Sequence, residues 1–265
     1  MNRILLADHA GVRVLTLCEP PANTYSYELM QELDRAVLEA RMDPAVHVIV
    51  LTGAGEKFFC AGATIAMLKD ATPEYKYYFC LHANETLNRL EQTPKLVIAA
   101  LNGHTVGGGL EVALAADLRI AKQDAGKIGL PEVALGVLPG TGGTQRLARL
   151  LGKAKAMELM ISGRLMTMTE AQAAGLVTEV WDADRLNGQS FLDAVIEYAK
   201  TFTPPHKASL AVGRIKRAVQ SGAEAGFGEG LAMEREMQQL LFQSGDAKEG
   251  IAASLEKRKP VFEGK

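Results

Sequence analysis

The sequence predicts an α/β protein, a core of alternating strands and helices followed by a helical tail, and three observations predict it. In the first two-thirds, short β-branched runs bounded by Gly, Pro or Asp alternate with segments whose apolar residues recur at helical spacing. After residue 142, helical patterns follow one another with a single short strand between them. The chain has 265 residues, 48% of them hydrophobic, enough for a sizeable core, and no Ser/Gly-rich or charged linker divides it.

The N-terminal MNRILLADHAGVRVLTL places Asp8 and His9 where a signal core would have to be apolar, so it reads as strand rather than signal. VRVLTL (12–17), HVIVLTG (47–53), LVIAALNG (96–103) and DLRIAK (117–122) read as strands. Between the first two, Leu29, Met30, Leu33, Val37 and Ala40 line one face of a helix that Asp43-Pro44 stops. A second helix is expected over 74–92, ended by Thr93-Pro94. The tail predicts helices over 142–151, 153–162, 169–174, 187–201, 205–221, 225–243 and 246–258, with LVTEVW (176–181) as the strand among them. No internal repeat or low-complexity segment is present.

Composition narrows the function. A formal net charge of −2 offers no basic stripe for a phosphate backbone, which argues against nucleic acid as partner. Three isolated cysteines, Cys18, Cys60 and Cys80, fit a reducing compartment better than a disulfide framework or a cysteine zinc site. No run of 18 apolar residues predicts a membrane span, and a cytoplasmic location is the expectation.

Three stretches set glycine and proline beside apolar runs: GEKFFCAGATI (55–65), NGHTVGGGLEVAL (102–114) and GLPEVALGVLPGTGGTQRL (129–147). Backbone N–H groups at such strand-to-helix junctions lack an intrahelical acceptor, so two of them from different loops can point at one oxygen. Nucleotide loops do not fit: G-x-G-x-x-G fails at Val112 and again at Gln145, and Gly152-Lys153 is followed by Ala154.

Glu111 and Glu132 are the carboxylates nearest these turns. In the first turn of a helix, Glu111 would be stabilised as an anion and suit a base. Glu132, between Pro131 and VALGVLP, would be raised by burial and suit an acid. Each feature also reads blandly. The glycine triplet serves tight helix packing, Glu111 serves first-turn electrostatics and Glu132 a solvated loop. Cys60 reads as a small core residue, His104 as structural, and the Tyr75, Tyr77, Tyr78 and Phe79 cluster as helix packing or an apolar wall.

Taken together and in register, LTGAGEKFFCAGA, NGHTVGGGLEVALAADLRIA, GLPEVALGVLPGTGGTQRLARLLG, the A-x-x-AGLV pattern at 171–177 and the terminal EKRKPVFEGK resemble the crotonase (enoyl-CoA hydratase/isomerase) family over essentially the whole chain. The resemblance implies a spiral of ββα turns with two roughly perpendicular sheets over 1–200. It also implies a helical trimerisation region over 201–265, not an independent domain, in a homotrimer or homohexamer. The implied substrate is an acyl-CoA thioester, with no metal or redox cofactor, coenzyme A being part of the substrate.

Carried onto this sequence, the oxyanion donors would be the N–H groups of Ala63 and Gly108. Glu111 and Glu132 match the two glutamates of the hydratases, one activating water for C3 and the other supplying the proton at C2. The Gly140 N–H matches a water-holding position, and Lys257 of the EKRK segment a contact to a CoA phosphate. The resemblance thus implies an enoyl-CoA hydratase. Its alternatives are a Δ3,Δ2-enoyl-CoA isomerase, which needs one base, and a non-catalytic binding protein on the same fold. One departure stands out: Thr64 occupies a position after the CAGA loop where many relatives carry Asp.

Overall fold

The computed structural model describes residues 2–265, so the first residue of the core expected over 1–200 lies outside it. Two sheets share the core. Strands β1 (Ile4–His9), β2 (Val12–Leu17), β3 (Val48–Gly53), β5 (Leu96–Leu101), β7 (Leu118–Lys122) and β10 (Glu179–Trp181) form a six-stranded sheet in that order. Only the β1–β2 pair in it is antiparallel. The second sheet orders β4 (Phe58–Cys60), β6 (His104–Val106), β8 (Lys127–Gly129) and β9 (Met166–Thr167).

The chain visits the two sheets alternately: β3 then β4, β5 then β6, β7 then β8. Each pair is one turn of the ββα spiral, and the short second strands end at Cys60, Val106 and Gly129, within or at the edge of the three glycine-rich stretches. The five strands expected from β-branched runs are all present. The last is shorter than expected, because Leu176 and Val177 donate to the Ala171 carbonyl at the end of α7 (Met168–Ala173) instead of joining the sheet.

Period-two alternation splits the large sheet between two apolar clusters. Ile49, Leu51, Val97, Ala99 and Leu101 face α1 (Tyr27–Met42) and α3 (Pro73–Gln92), whose Leu29, Leu33, Val37, Phe79 and Leu87 join the same cluster. Val48, Val50, Ile98 and Ala100 face the opposite way, against Trp181 and the buried stripe of α9 (Phe191–Lys200). Helix α1 starts at Ser26, whose hydroxyl accepts from the Leu29 N–H at 3.3 Å, and α3 starts with Pro73 in its first turn behind Thr72.

Helices α2 (Ile65–Lys69) and α4 (Gly108–Leu114) follow β4 and β6, and α5 (Gly143–Leu151), α6 (Lys153–Ser162) and α8 (Ala183–Leu186) complete the first part. The helix expected from 187 begins at Phe191, since Asn187 takes a left-handed conformation that closes α8 and Ser190 caps α9. Three helices follow: α10 (Ser209–Glu224), α11 (Phe227–Phe242) and α12 (Gly245–Glu256). Helix α10 is tied to the core by Lys216, whose Nζ lies 2.8 Å from Asp117 Oδ2 and donates to the Lys95 carbonyl at 3.0 Å. Helix α11, by contrast, buries no residue. Among the described residues, no helix is long and apolar enough to cross a membrane.

Candidate active site

Helix α4 is the centre of the site. Gly107 precedes it with φ +58° and ψ −132°, a conformation that only glycine adopts without strain, and its N–H donates to the Gly129 carbonyl at 2.9 Å. The next two glycines are required by contact. A Cβ on Gly108 would lie 2.1 Å from the Tyr25 hydroxyl oxygen, and one on Gly109 would lie 2.0 Å from the Cys60 carbonyl. The triplet therefore packs tightly, as its bland reading has it. It also leaves the Gly108 N–H, first in the helix, without an acceptor among the described residues.

The loop after β4 meets this N–H. Gly62, at φ +87°, would place a Cβ 3.1 Å from the Gly108 nitrogen, so only its missing side chain leaves that amide open. Ala63 pairs with Tyr25 in a parallel bridge: Tyr25 donates to the Gly62 carbonyl at 2.9 Å and Thr64 donates to the Tyr25 carbonyl at 3.1 Å. Those bonds use the flanking groups and leave the Ala63 N–H free of any acceptor among the described residues. Thr64 stands at the N-cap of α2 without capping it; its hydroxyl instead reaches Thr24 Oγ1 at 3.2 Å and the Tyr25 carbonyl at 3.4 Å.

Glu111 lies in the first turn of α4 and is 2% exposed. Its Oε1 accepts from the Thr141 N–H at 2.8 Å and the Gly143 N–H at 2.7 Å, and its Oε2 accepts from the Thr141 hydroxyl. The PGTGG turn is thus wrapped around the carboxylate, with Gly140 next in the chain to Thr141 and its N–H without an acceptor among the described residues.

Glu132 approaches from the other side. It opens the 3-10 turn Glu132–Leu135, and its Oε1 lies 3.0 Å from the point a Cβ on Gly107 would occupy. Oε2 is buried without a hydrogen-bond partner. Burial, joined by the negative charge of Glu111, pushes this carboxyl up to about 7, while its own backbone N–H and Lys76 oppose the rise. Two carboxylates with contrasting surroundings therefore face one helix N-terminus: one is held by three donors, and the other is nearly stripped of them.

Ala63, Gly108, Glu111, Glu132 and Gly140 come together in this way. Lys257 does not join them: it caps α12 in a left-handed conformation at φ +55°, its side chain exposed. Cys60 is a core residue, its thiol pushed up to about 12 by burial. His104 is structural, its Nδ1 accepting from the Lys127 N–H at 3.1 Å and its ring tilted on Phe58. Of the aromatic cluster, Phe79 is buried and stacks between Tyr25 and Tyr75, while Tyr77 and Tyr78 are exposed. Tyr25, Thr141 and Gly143 carry no signal in the sequence, since isolated hydroxyls and a single amide at a helix start form no pattern.

Comparison with known proteins shows the family. Residues 7–265 match the family model described as enoyl-CoA hydratase/isomerase. The chain is 39% identical over 267 residues to a probable enoyl-CoA hydratase of Bacillus subtilis, with 100% of both chains covered. It is 36% identical over 260 residues to a short-chain-enoyl-CoA hydratase of Clostridium acetobutylicum, covering 98% of this chain and 97% of that protein. Its fold matches a crystal structure of an enoyl-CoA hydratase from Geobacillus kaustophilus with a TM-score of 0.95 and 43% identity, over 100% of this chain and 98% of the other. The chain belongs to the enoyl-CoA hydratase/isomerase, or crotonase, family.

Proposed function

We propose that the protein is an enoyl-CoA hydratase, adding water across the 2,3-double bond of an enoyl-CoA thioester and catalysing the reverse dehydration. The observation that carries this reading is the pair of glutamates. The donor-rich Glu111 and the donor-poor Glu132, raised to about 7, meet beside two unpaired backbone N–H groups.

In this reading the thioester oxygen accepts from the Ala63 and Gly108 N–H groups, where the enolate charge develops. Water held by Glu111, with the Gly140 N–H beside it, attacks C3 as its proton passes to Glu111. The π electrons move through C2 to the thioester oxygen, and collapse of the enolate takes the proton of Glu132 at C2. Water gains a bond to C3, C2 gains a hydrogen, and the pair ends with its one proton on the other glutamate. Such an addition is acid–base chemistry throughout and calls for no metal or redox cofactor, coenzyme A entering with the substrate. The isomerase reading needs only one base and leaves the second buried carboxylate without a task.

The uncovered face of α11, with Phe227 83% exposed and Leu231 and Phe242 on the same side also open to solvent, supports assembly as a homotrimer or homohexamer. Lys257 would then meet a CoA phosphate, its own or a neighbouring subunit's. A cytoplasmic setting fits the free thiols.

The test is loss of the conjugated enoyl absorbance across a panel of short, medium, branched and aromatic enoyl-CoAs. Activity on at least one member is expected, and silence across the panel overturns the reading. Glu111→Gln and Glu132→Gln should each lower the chemical rate by about 10² or more. If only one of them matters, the isomerase reading gains.

A further inference from the structure

Glu111 is held by more than the PGTGG backbone. A carboxylate offers about four lone-pair positions, two on each oxygen. Both positions of Oε1 are taken, by the Thr141 and Gly143 N–H groups. One position of Oε2 is taken by the Thr141 hydroxyl. A single acceptor position, on Oε2, is left for water.

The Thr141 hydroxyl has one hydrogen, and a base in its working, ionised form can only accept, so the hydroxyl donates that hydrogen to Glu111 Oε2. The Tyr25 hydroxyl, 3.1 Å from Thr141 Oγ1, must then be the donor of the bond between them. The chain of bonds runs one way, from Tyr25 to Thr141 to Glu111 Oε2. Burial and the neighbouring charge of Glu111 hold the Tyr25 phenol well above its ordinary value, so it keeps the proton it donates.

Tyr25 is itself over-determined. Its ring stacks on Phe79 with centroids 5.9 Å apart, and its backbone forms the bridge to Ala63. Its hydroxyl fills the space where a Cβ on Gly108 would stand. One residue therefore touches the strand-like segment carrying the Ala63 N–H, the glycine carrying the Gly108 N–H, and the hydroxyl on Glu111.

We propose that Tyr25 and Thr141 are positioning residues for this reaction, a two-hydroxyl relay that fixes the rotation of the Glu111 carboxylate and presents its last free lone pair to the attacking water, in register with the two N–H groups that Tyr25 also braces. This rests on the hydratase reading. Neither residue touches substrate in it; both act through Glu111.

The test is steady-state kinetics on an enoyl-CoA that the wild-type protein hydrates. Thr141→Val keeps the shape and both amide bonds to Oε1 while removing the hydroxyl. It should lower kcat by about 10- to 100-fold, the usual worth of a hydrogen bond to a charged group, with KM within about twofold. Thr141→Ser, which restores the hydroxyl, should stay within about threefold of wild type, and Tyr25→Phe should lose about three- to tenfold in kcat. An unchanged kcat in Thr141→Val, or equal losses in the Val and Ser variants, overturns the proposal. If Thr141→Val does not fold, Tyr25→Phe decides alone, and wild-type kcat there overturns it. Absence of wild-type hydration fails the underlying reading instead. Crystal structures of wild type and Thr141→Val then still read the relay, which predicts that Oε2 rotates away while Oε1 keeps its two amides; an unmoved carboxylate overturns it.

Discussion

Glu132 occupies the space beside Gly107 that a side chain there would need: its Oε1 lies 3.0 Å from where a Cβ on that glycine would be. The contact places a carboxyl with an unpartnered Oε2 against the start of the helix that carries Glu111. The same glycine thus sets the entry into α4 and the stand-off of the second carboxylate.

Gly107→Ala should therefore harm both stability and catalysis. At φ +58° and ψ −132° an L side chain is strained, at a cost of about 1–3 kcal/mol. The added methyl also meets Glu132 Oε1 at 3.0 Å and shifts it by a few tenths of an ångström, less than the roughly 1 Å that costs about 10² in rate, so a loss of about 10-fold in kcat is expected. Thermal melting and kcat should fall together, whereas a variant with a lowered melting temperature and normal kcat would mean that the Glu132 contact is incidental.

The pH dependence follows from the Glu132 carboxyl, raised to about 7. The competent pair carries one proton, on Glu132 for hydration and on Glu111 for dehydration. Hydration consumes no net proton, so both directions must share one pH profile. kcat/KM should fall about tenfold per pH unit above about pH 7 in either direction as the proton is lost. Glu132→Gln should abolish that limb in its residual activity. A limb that persists unchanged in Glu132→Gln would show that another group sets it.

Stability should also fall as pH rises, through the same residue. The folded carboxyl, about 7, binds its proton more tightly than the ordinary 4.5, so folding is favoured at low pH and loses that contribution as pH rises from 4.5 to about 7. Solvent reaches this partly buried group, which reduces the loss to on the order of 1 kcal/mol. Glu132→Gln should accordingly melt about 2–4 °C above wild type at pH 8 and level with it at pH 4. Equal melting at both pH values would place the carboxyl in ordinary solvent.

How much of this was readable in the sequence depends on length of pattern. The strands of the large sheet run to five or six residues of β-branched character, apart from β10, and α1, α3 and α10 to α12 show helical periodicity, so all were legible. Strands β4, β6, β8 and β9 have two or three residues each, too few for alternation to register, and β4 and β6 also hide inside the glycine-rich stretches. Glu111 and Glu132 stood out as carboxylates beside glycine turns. Tyr25 and Thr141 did not, because their meaning is a contact between hydroxyls 116 residues apart, which no local pattern encodes.

The last prediction concerns how the helical tail is fastened to the core that holds the site. Asp117 gathers the Val97 N–H at 2.7 Å, Lys216 at 2.8 Å and the Gln220 side-chain amide at 2.9 Å, joining β5 to α10. Burial, above all, pushes Asp117 up and Lys216 down, and their mutual attraction opposes both shifts. Lys216→Met leaves a buried carboxylate without its cation and should cost about 3–5 kcal/mol. Asp117→Asn in the Lys216→Met background removes the stranded charge and should recover part of that loss, since a neutral amide still accepts from Val97. Because the pair lies outside the Glu111 cluster, kcat at a temperature where the variants are folded should stay near wild type. A double variant no more stable than Lys216→Met would mean that the lysine's packing, not the buried charge, fastens α10 to the sheet.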